Sequence, residues 1–172
     1  MVAQKIDGKH VAASIRAHLR DEILSLRHQH PEFHPKLAVV QVGDREDSTA
    51  YVRQKKLAAE EIGIEFIHTK LPVDIDTISL VDQVEKLGKD QSVHGIIVQL
   101  PLPQTLDEKE AVLSIPPEKD VDGLHPMNAG MLSKKHEHPY FVACTPAGII
   151  ELLKQYSTCF VDGVVCLISC RS

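Results

Sequence analysis

The chain has 172 residues, is 43% hydrophobic and 25% charged, and carries a formal net charge of −5. That length suits one domain, or one domain and the start of another, with room for a substantial core. The negative balance, the lack of a basic stripe, the absence of tryptophan and the scarcity of aromatics argue against a nucleic-acid partner, which needs cations for phosphates and rings for bases.

The first element in chain order is a helix from about Lys9 to Arg27, where Val11, Ile15, Leu19, Ile23 and Leu26 form one apolar stripe. The run 36–42, closed by Gly43, fits a strand covered on both faces. A second helix starts near Asp47 or Ser48, either of which is a suitable cap, and ends at Gly63. Residues 64–71 form the next strand. A helix follows over 76–87, with Ile78, Val81, Val84 and Leu87 at helical spacing and Gly88 just beyond it. Residues 94–100 are another buried-strand run. This β-α-β-α-β succession predicts an α/β fold with a mainly parallel sheet flanked by helices.

Prolines 101, 103, 116, 117, 126, 139 and 146 punctuate the next section, where short helices fit around 107–114 and 146–156. Proline-rich loops beyond strand ends often build the site in open α/β sheets. Residues 163–170 give one more apolar strand. No apolar run is long enough to cross a bilayer, and the N-terminus resembles neither a secretion signal nor a transit peptide, so a cytoplasmic chain with no membrane partner is expected. Cys144, Cys159, Cys166 and Cys170 form no C-x-x-C pair and are expected as reduced, mostly buried thiols.

The second helix carries the main chemical candidate. At about 100° per residue, Ser48, Tyr51, Lys55, Ala58 and Ile62 share one side, so Lys55 is expected to point the way the core points, with Lys56 turned toward solvent. A lysine held against apolar surface suits general acid–base work; the alternative is a side chain that snorkels to water. Gln99 ends a buried run, where its amide can orient a lysine or a substrate nitrogen, or satisfy loop backbone. Asp120 and Asp122 face the same way if the segment is extended, and a carboxylate there can accept hydrogen bonds from an amino-heterocycle; an Asx-type turn ending at Gly123 is the other reading. A metal set of Asp120, Asp122 and His125 lacks diagnostic spacing, and no metal is expected. Most of the ten histidines read as surface residues. The Leu100-Pro101 and Leu102-Pro103 bonds are candidates for the cis form.

Ser48-Thr-Ala-Tyr51-Val-Arg-Gln-Lys55, then Val98-Gln99-Leu100-Pro101, then Pro117-Glu-Lys-Asp-Val-Asp122-Gly-Leu, Asn128-Ala-Gly130 and Cys144-Thr-Pro146, in this order and spacing, resemble the bifunctional methylenetetrahydrofolate dehydrogenase/methenyltetrahydrofolate cyclohydrolase family. The resemblance implies oxidation of 5,10-methylenetetrahydrofolate with NADP, or NAD in some members, and hydrolysis of the methenyl product to 10-formyltetrahydrofolate. It assigns Lys55 as the catalytic lysine, Gln99 as the residue that orients it, and Asp122 as the pterin-binding carboxylate. Tyr51 would stack on the aminobenzoyl ring, Ser48 would support the site, and Val52, Val98, Leu100 and Pro101 would line the folate cleft. A homodimer is the family's expected assembly.

The family's nucleotide-binding domain opens with a strand and a Gly-Arg-Ser turn. Here the corresponding residues are Cys170-Arg171-Ser172, so only Arg171 and Ser172 match that cofactor site. The expected division is a folate-binding catalytic domain over 1–145 and an interdomain helix with the start of an incomplete NAD(P)-binding domain over 146–172. Dehydrogenase turnover is not expected of such a chain, whereas hydrolysis needs no nucleotide. A rival expectation is an inactive product acting only by folate binding or dimerisation, for which the apolar run 164–168 offers an edge that invites association.

Overall fold

Lys36–Val42 (β1), Glu65–Leu71 (β2) and Gly95–Val98 (β3) pair in parallel in the order β2-β1-β3. The computed structural model describes residues 6–155. Val39 lies opposite His68 on one side and Ile97 on the other. Six α-helices surround this sheet among the described residues: α1 Gly8–Gln29, α2 Glu46–Ile62, α3 Thr77–Lys89, α4 Glu108–Leu113, α5 Pro126–Ser133 and α6 Cys144–Gln155. The strand expected over 163–170 lies outside the described residues.

Three of the helix starts follow a common rule. Asp7, Asp76 and Asp107 each accept a hydrogen bond from the backbone N–H three residues on, which satisfies one of the donors that the first turn leaves open. α2 instead starts at Glu46 after Arg45, with no side-chain cap, and neither Asp47 nor Ser48 occupies the cap position. Both Arg45 guanidinium contacts to Asp47 divert that carboxylate, at 2.9 and 2.6 Å. They and the Ser48 N–H hold the Asp47 carboxyl down at about 2. α2 stops at Gly63, whose φ of 85° is a left-handed turn that glycine adopts without a Cβ penalty.

Two further boundaries differ from the sequence pattern. Gly88 lies inside α3, which runs to Lys89; a Cβ there would meet the Pro116 ring at 2.8 Å, so glycine permits close approach of the Pro116 loop. α5 was not expected, because prolines obscured its short pattern; Pro126 occupies its first turn, where no backbone donor is needed, and the His125 ring accepts from the Met127 N–H.

The alternation of β1 divides the core. Ala38, Val40 and Val42 pack with Leu80 and Val84 of α3, Ile96 and Val98 of β3, and Ala111 of α4. On the opposite face Val39 and Ile97 meet Val52 of α2, and α1 packs outside α2. Ile78, expected on the inner stripe of α3, is exposed, and Leu80 takes its place.

Candidate active site

β3 ends between two layers of contact. Ile96 and Val98 face the α3 side, while Ile97 faces α2. The backbone continues the ladder one residue further through Gln99 N–H to Val40 C=O at 2.8 Å. With a period of two, Gln99 then projects to the α2 side. Its side-chain oxygen accepts from Lys55 Nζ at 3.1 Å, and its amide nitrogen donates to the Leu100 carbonyl at 2.8 Å. Both roles considered for this glutamine are therefore present together: one end of the amide meets the lysine and the other ties down the loop. Leu100-Pro101 is cis.

Lys55 Nζ also lies 4.0 Å from Asp122 Oδ2, and its side chain is about one-third exposed. Lys56, one residue on, is turned away, more exposed, and 3.8 Å from Glu60. The core side of α2 is centred on Ser48, Val52 and Ala59, so Lys55 sits at its margin rather than its middle. Tyr51, expected on the inward side, is 64% exposed and presents its ring outward. Ser48 is buried, and Val52 is packed under the helix against Val39 and Ile97.

Val98 packs its side chain into the core cluster on the far face of the sheet, which leaves its backbone rather than its side chain at the strand end. Leu100 is partly buried against the same cluster and borders a cavity of about 290 Å³ with Val112, Leu124 and Pro126. Pro101 is exposed and borders a wider hollow with Arg45 and Asp107. Arg171 and Ser172 lie outside the described residues.

Asp120 and Asp122 do not share a face, because the chain turns between them: Gly123 N–H bonds to Asp120 C=O at 3.0 Å, with Gly123 at φ 65°. Asp122 looks toward Lys55. Asp120 is 1% exposed and accepts from His125 N–H and Asn128 Nδ2 through one oxygen, while its other oxygen has no hydrogen-bond partner. Among the described residues, no group of three or more His, Cys, Asp or Glu side chains is placed to hold a metal ion.

Cys144 is exposed rather than buried, at the first turn of α6. Its Sγ lies 3.4 Å from the Val121 carbonyl and 3.7 Å from Asp122 Oδ1. Partial burial of the thiol and the neighbouring Asp122 carboxylate push its pKa above the ordinary cysteine value. Its place beside Asp122 was not foreseen; the motif Cys144-Thr-Pro146 marked the segment without showing what the thiol touches. The described helices include none long and apolar enough to cross a membrane.

Comparison with known proteins gives the family. Residues 6–122 match the family described as tetrahydrofolate dehydrogenase/cyclohydrolase, catalytic domain. The cytoplasmic C-1-tetrahydrofolate synthase of Saccharomyces cerevisiae is 48% identical over 155 residues, covering 89% of this chain and 16% of that protein. The bifunctional protein FolD 2 of Arabidopsis thaliana is 43% identical, over 88% of this chain and 50% of its own length. Among solved structures, the Trypanosoma brucei N5,N10-methylenetetrahydrofolate dehydrogenase-cyclohydrolase, complexed with NADP cofactor and inhibitor, superposes with a TM-score of 0.87 at 36% identity. That superposition covers 91% of this chain and 52% of that one. The chain thus spans about half the length of the bifunctional relatives it matches and a smaller share of the synthases. With the match running through the lysine, the glutamine and the aspartate, the chain belongs to the tetrahydrofolate dehydrogenase/cyclohydrolase family and carries its catalytic domain.

Proposed function

We propose that this chain binds a reduced folate across the C-terminal ends of β1 and β3 and that Lys55 manages the proton in hydrolysis of 5,10-methenyltetrahydrofolate. The observation that carries this reading is the Lys55 Nζ–Gln99 Oε1 contact at 3.1 Å, with Asp122 at 4.0 Å. In the proposed step, water oxygen bonds to the methenyl carbon and gives up a proton to Lys55 Nζ. The carbon–N5 bond then breaks, N5 takes a proton, and the carbon remains on N10 as a formyl group, with one net proton released.

Gln99 sets the direction of Nζ because its own amide is held by the Leu100 carbonyl. Asp122 accepts hydrogen bonds from the amino-pyrimidine edge of the pterin, which draws that carboxylate toward substrate and leaves Gln99 as the lysine's protein partner. Exposed Tyr51 offers its ring to the aminobenzoyl group. Ser48, Val52, Leu100 and Pro101 support the cleft from α2 and from the loop after β3.

The family's oxidative half-reaction uses NADP, or NAD in some members. The described strand ends do not fit a pyrophosphate: β1 leads into a helix whose first turn carries Glu46 and Asp47, and β3 leads into Gln99-Leu-Pro. No step of the proposed hydrolysis passes through the nucleotide. The same reading divides the chain at 145/146, assigns it to the cytoplasm like the relatives named cytoplasmic, and gives it a homodimeric assembly, which light scattering would test.

The deciding experiment pairs calorimetric binding of 5-formyltetrahydrofolate with decay of the methenyl chromophore. Lys55→Met is expected to keep binding within about threefold and to lower hydrolysis by roughly 10²–10⁴-fold, the usual worth of a positioned acid–base group. Unchanged hydrolysis, or equal loss in Lys56→Met, would overturn the assignment.

A further inference from the structure

Asn128 is 1% exposed and uses its whole amide. Its Nδ2 donates to the Pro117 carbonyl at 3.0 Å and to Asp120 Oδ2 at 2.9 Å. Its Oδ1 accepts from the backbone N–H groups of Tyr140 at 3.1 Å and Phe141 at 3.4 Å. One side chain on α5 therefore joins the segment before the Asp122 turn to the segment that leads into Cys144. Asp120 extends the connection: it also holds the His125 N–H and forms a backbone bridge with Ile96 of β3.

The two segments are in close contact where they reach the site. A Cβ on Gly123 would lie 2.6 Å from the Ala143 nitrogen, so nothing larger than hydrogen fits between the turn and residues 142–143. The next residue, Cys144, reaches back to the Val121 carbonyl and to Asp122.

We propose that Asn128 is a positioning residue for Asp122: with Asp120 it clamps residues 117–123 to residues 140–144 and so holds the Asp122 carboxylate within reach of Lys55. This rests on the folate reading of the Lys55–Asp122 pair. Asn128 touches neither group directly and acts through the turn that Asp122 occupies. Its short distance from Asp120 makes the amide nitrogen essential, because an oxygen in that place would face both a carbonyl and a carboxylate.

Asn128→Asp keeps the shape and reverses that polarity, with Asp120 as the carboxylate it faces. The test measures calorimetric binding of 5-formyltetrahydrofolate at about pH 8 and about pH 5.5, with peptide-resolved iodoacetamide labelling of Cys144 at the higher pH. Relative to wild type, binding should weaken about tenfold at the higher pH and recover to within about twofold at the lower, where a proton can bridge the two carboxylates. Cys144 labelling should accelerate several-fold as its contacts to Val121 and Asp122 loosen. A change of volume or packing alone would not produce a pH-dependent ratio.

Tyr140→Pro deletes one N–H donor to Asn128 without altering a buried side chain, and it should accelerate labelling in the same direction by a smaller factor. It decides the matter if Asn128→Asp does not fold. Wild-type binding at the higher pH with unchanged Cys144 labelling in either folded variant would overturn the clamp. Absence of folate binding by the wild-type chain would remove the folate reading instead, and the labelling comparison would then judge the clamp by itself.

Discussion

The two faces of the sheet are built from the same three strands and differ in what they bury. The α3 face is a continuous apolar cluster, with Ala38, Val40, Leu80, Val84 and Ile96 fully enclosed. On the α2 face Val39, Val52 and Ile97 form a smaller apolar cluster, and this face also encloses Ser48, Gln41 and Gln99. Gln41 is fully partnered there: its nitrogen donates to Gly43 C=O and Thr49 Oγ1, and its oxygen meets His68 Nε2 at 3.1 Å. The contrast teaches that cohesion and chemistry are separated by the strand's period of two, so adjacent residues of one strand serve different ends.

Substitutions can break that separation, and the largest effect is expected on the α2 face. Lys55→Met should leave the urea midpoint nearly unchanged while hydrolysis falls by roughly 10²–10⁴-fold; a large loss of stability in this variant would show that the lysine is part of the core. Leu80→Ala should do the reverse, costing about 2–5 kcal/mol in urea unfolding through lost transfer energy and the cavity left behind. Binding of 5-formyltetrahydrofolate by the folded fraction should stay within about threefold.

Val52→Ala belongs to both regimes. It should cost about 1–3 kcal/mol from burial and cavity terms together. It should also weaken folate binding modestly, because α2 carries Ser48, Tyr51 and Lys55. Equal stability of the Val52→Ala and wild-type proteins would mean that α2 is held by its Gly63 terminus and by α1 rather than by Val52.

The smallest expected effect is a pH dependence at His68. Burial, then the nearby Lys70 and Lys56 charges, lower its pKa below the ordinary histidine value. A depressed folded-state pKa means that protonation favours the unfolded chain, so this contribution is present above about pH 6.5 and is lost as pH falls through the lower folded value. Melting curves between about pH 8 and pH 5 should show a slight decline that His68→Gln flattens; an identical slope in that variant would remove His68 from the α2-face network.

Much of this arrangement was legible in the sequence. The strand runs 36–42 and 64–71 are continuous enough in apolar and β-branched residues to place both strands to within a residue. The parallel order followed from the intervening helices. Lys55 and Gln99 were each assigned to an element facing the same strand ends, and their side chains meet. What was not legible depended on tertiary contacts. The inner side of α2 lies a fraction of a turn from the one expected, because Tyr51 is exposed and Val52 and Ala59 are buried with Ser48. The sequence left Asp120 and Asp122 open to an extended pair or to a turn ending at Gly123; the turn forms, and it sends one into the interior and the other to Lys55. The burial of Asn128 had no local signal, since its partners come from residues 117, 120, 140 and 141.

The Ile96–Asp120 bridge has a consequence for how this protein behaves at high concentration. β3 is four residues long, and among the described residues its backbone pairs with β1 on one side and through this single bridge on the other. Unpaired strand borders recruit neighbouring molecules into non-native sheets. Any such addition along this border must first displace the backbone that precedes Asp122, so colloidal safety and an intact turn at the proposed pterin carboxylate are enforced by the same few atoms.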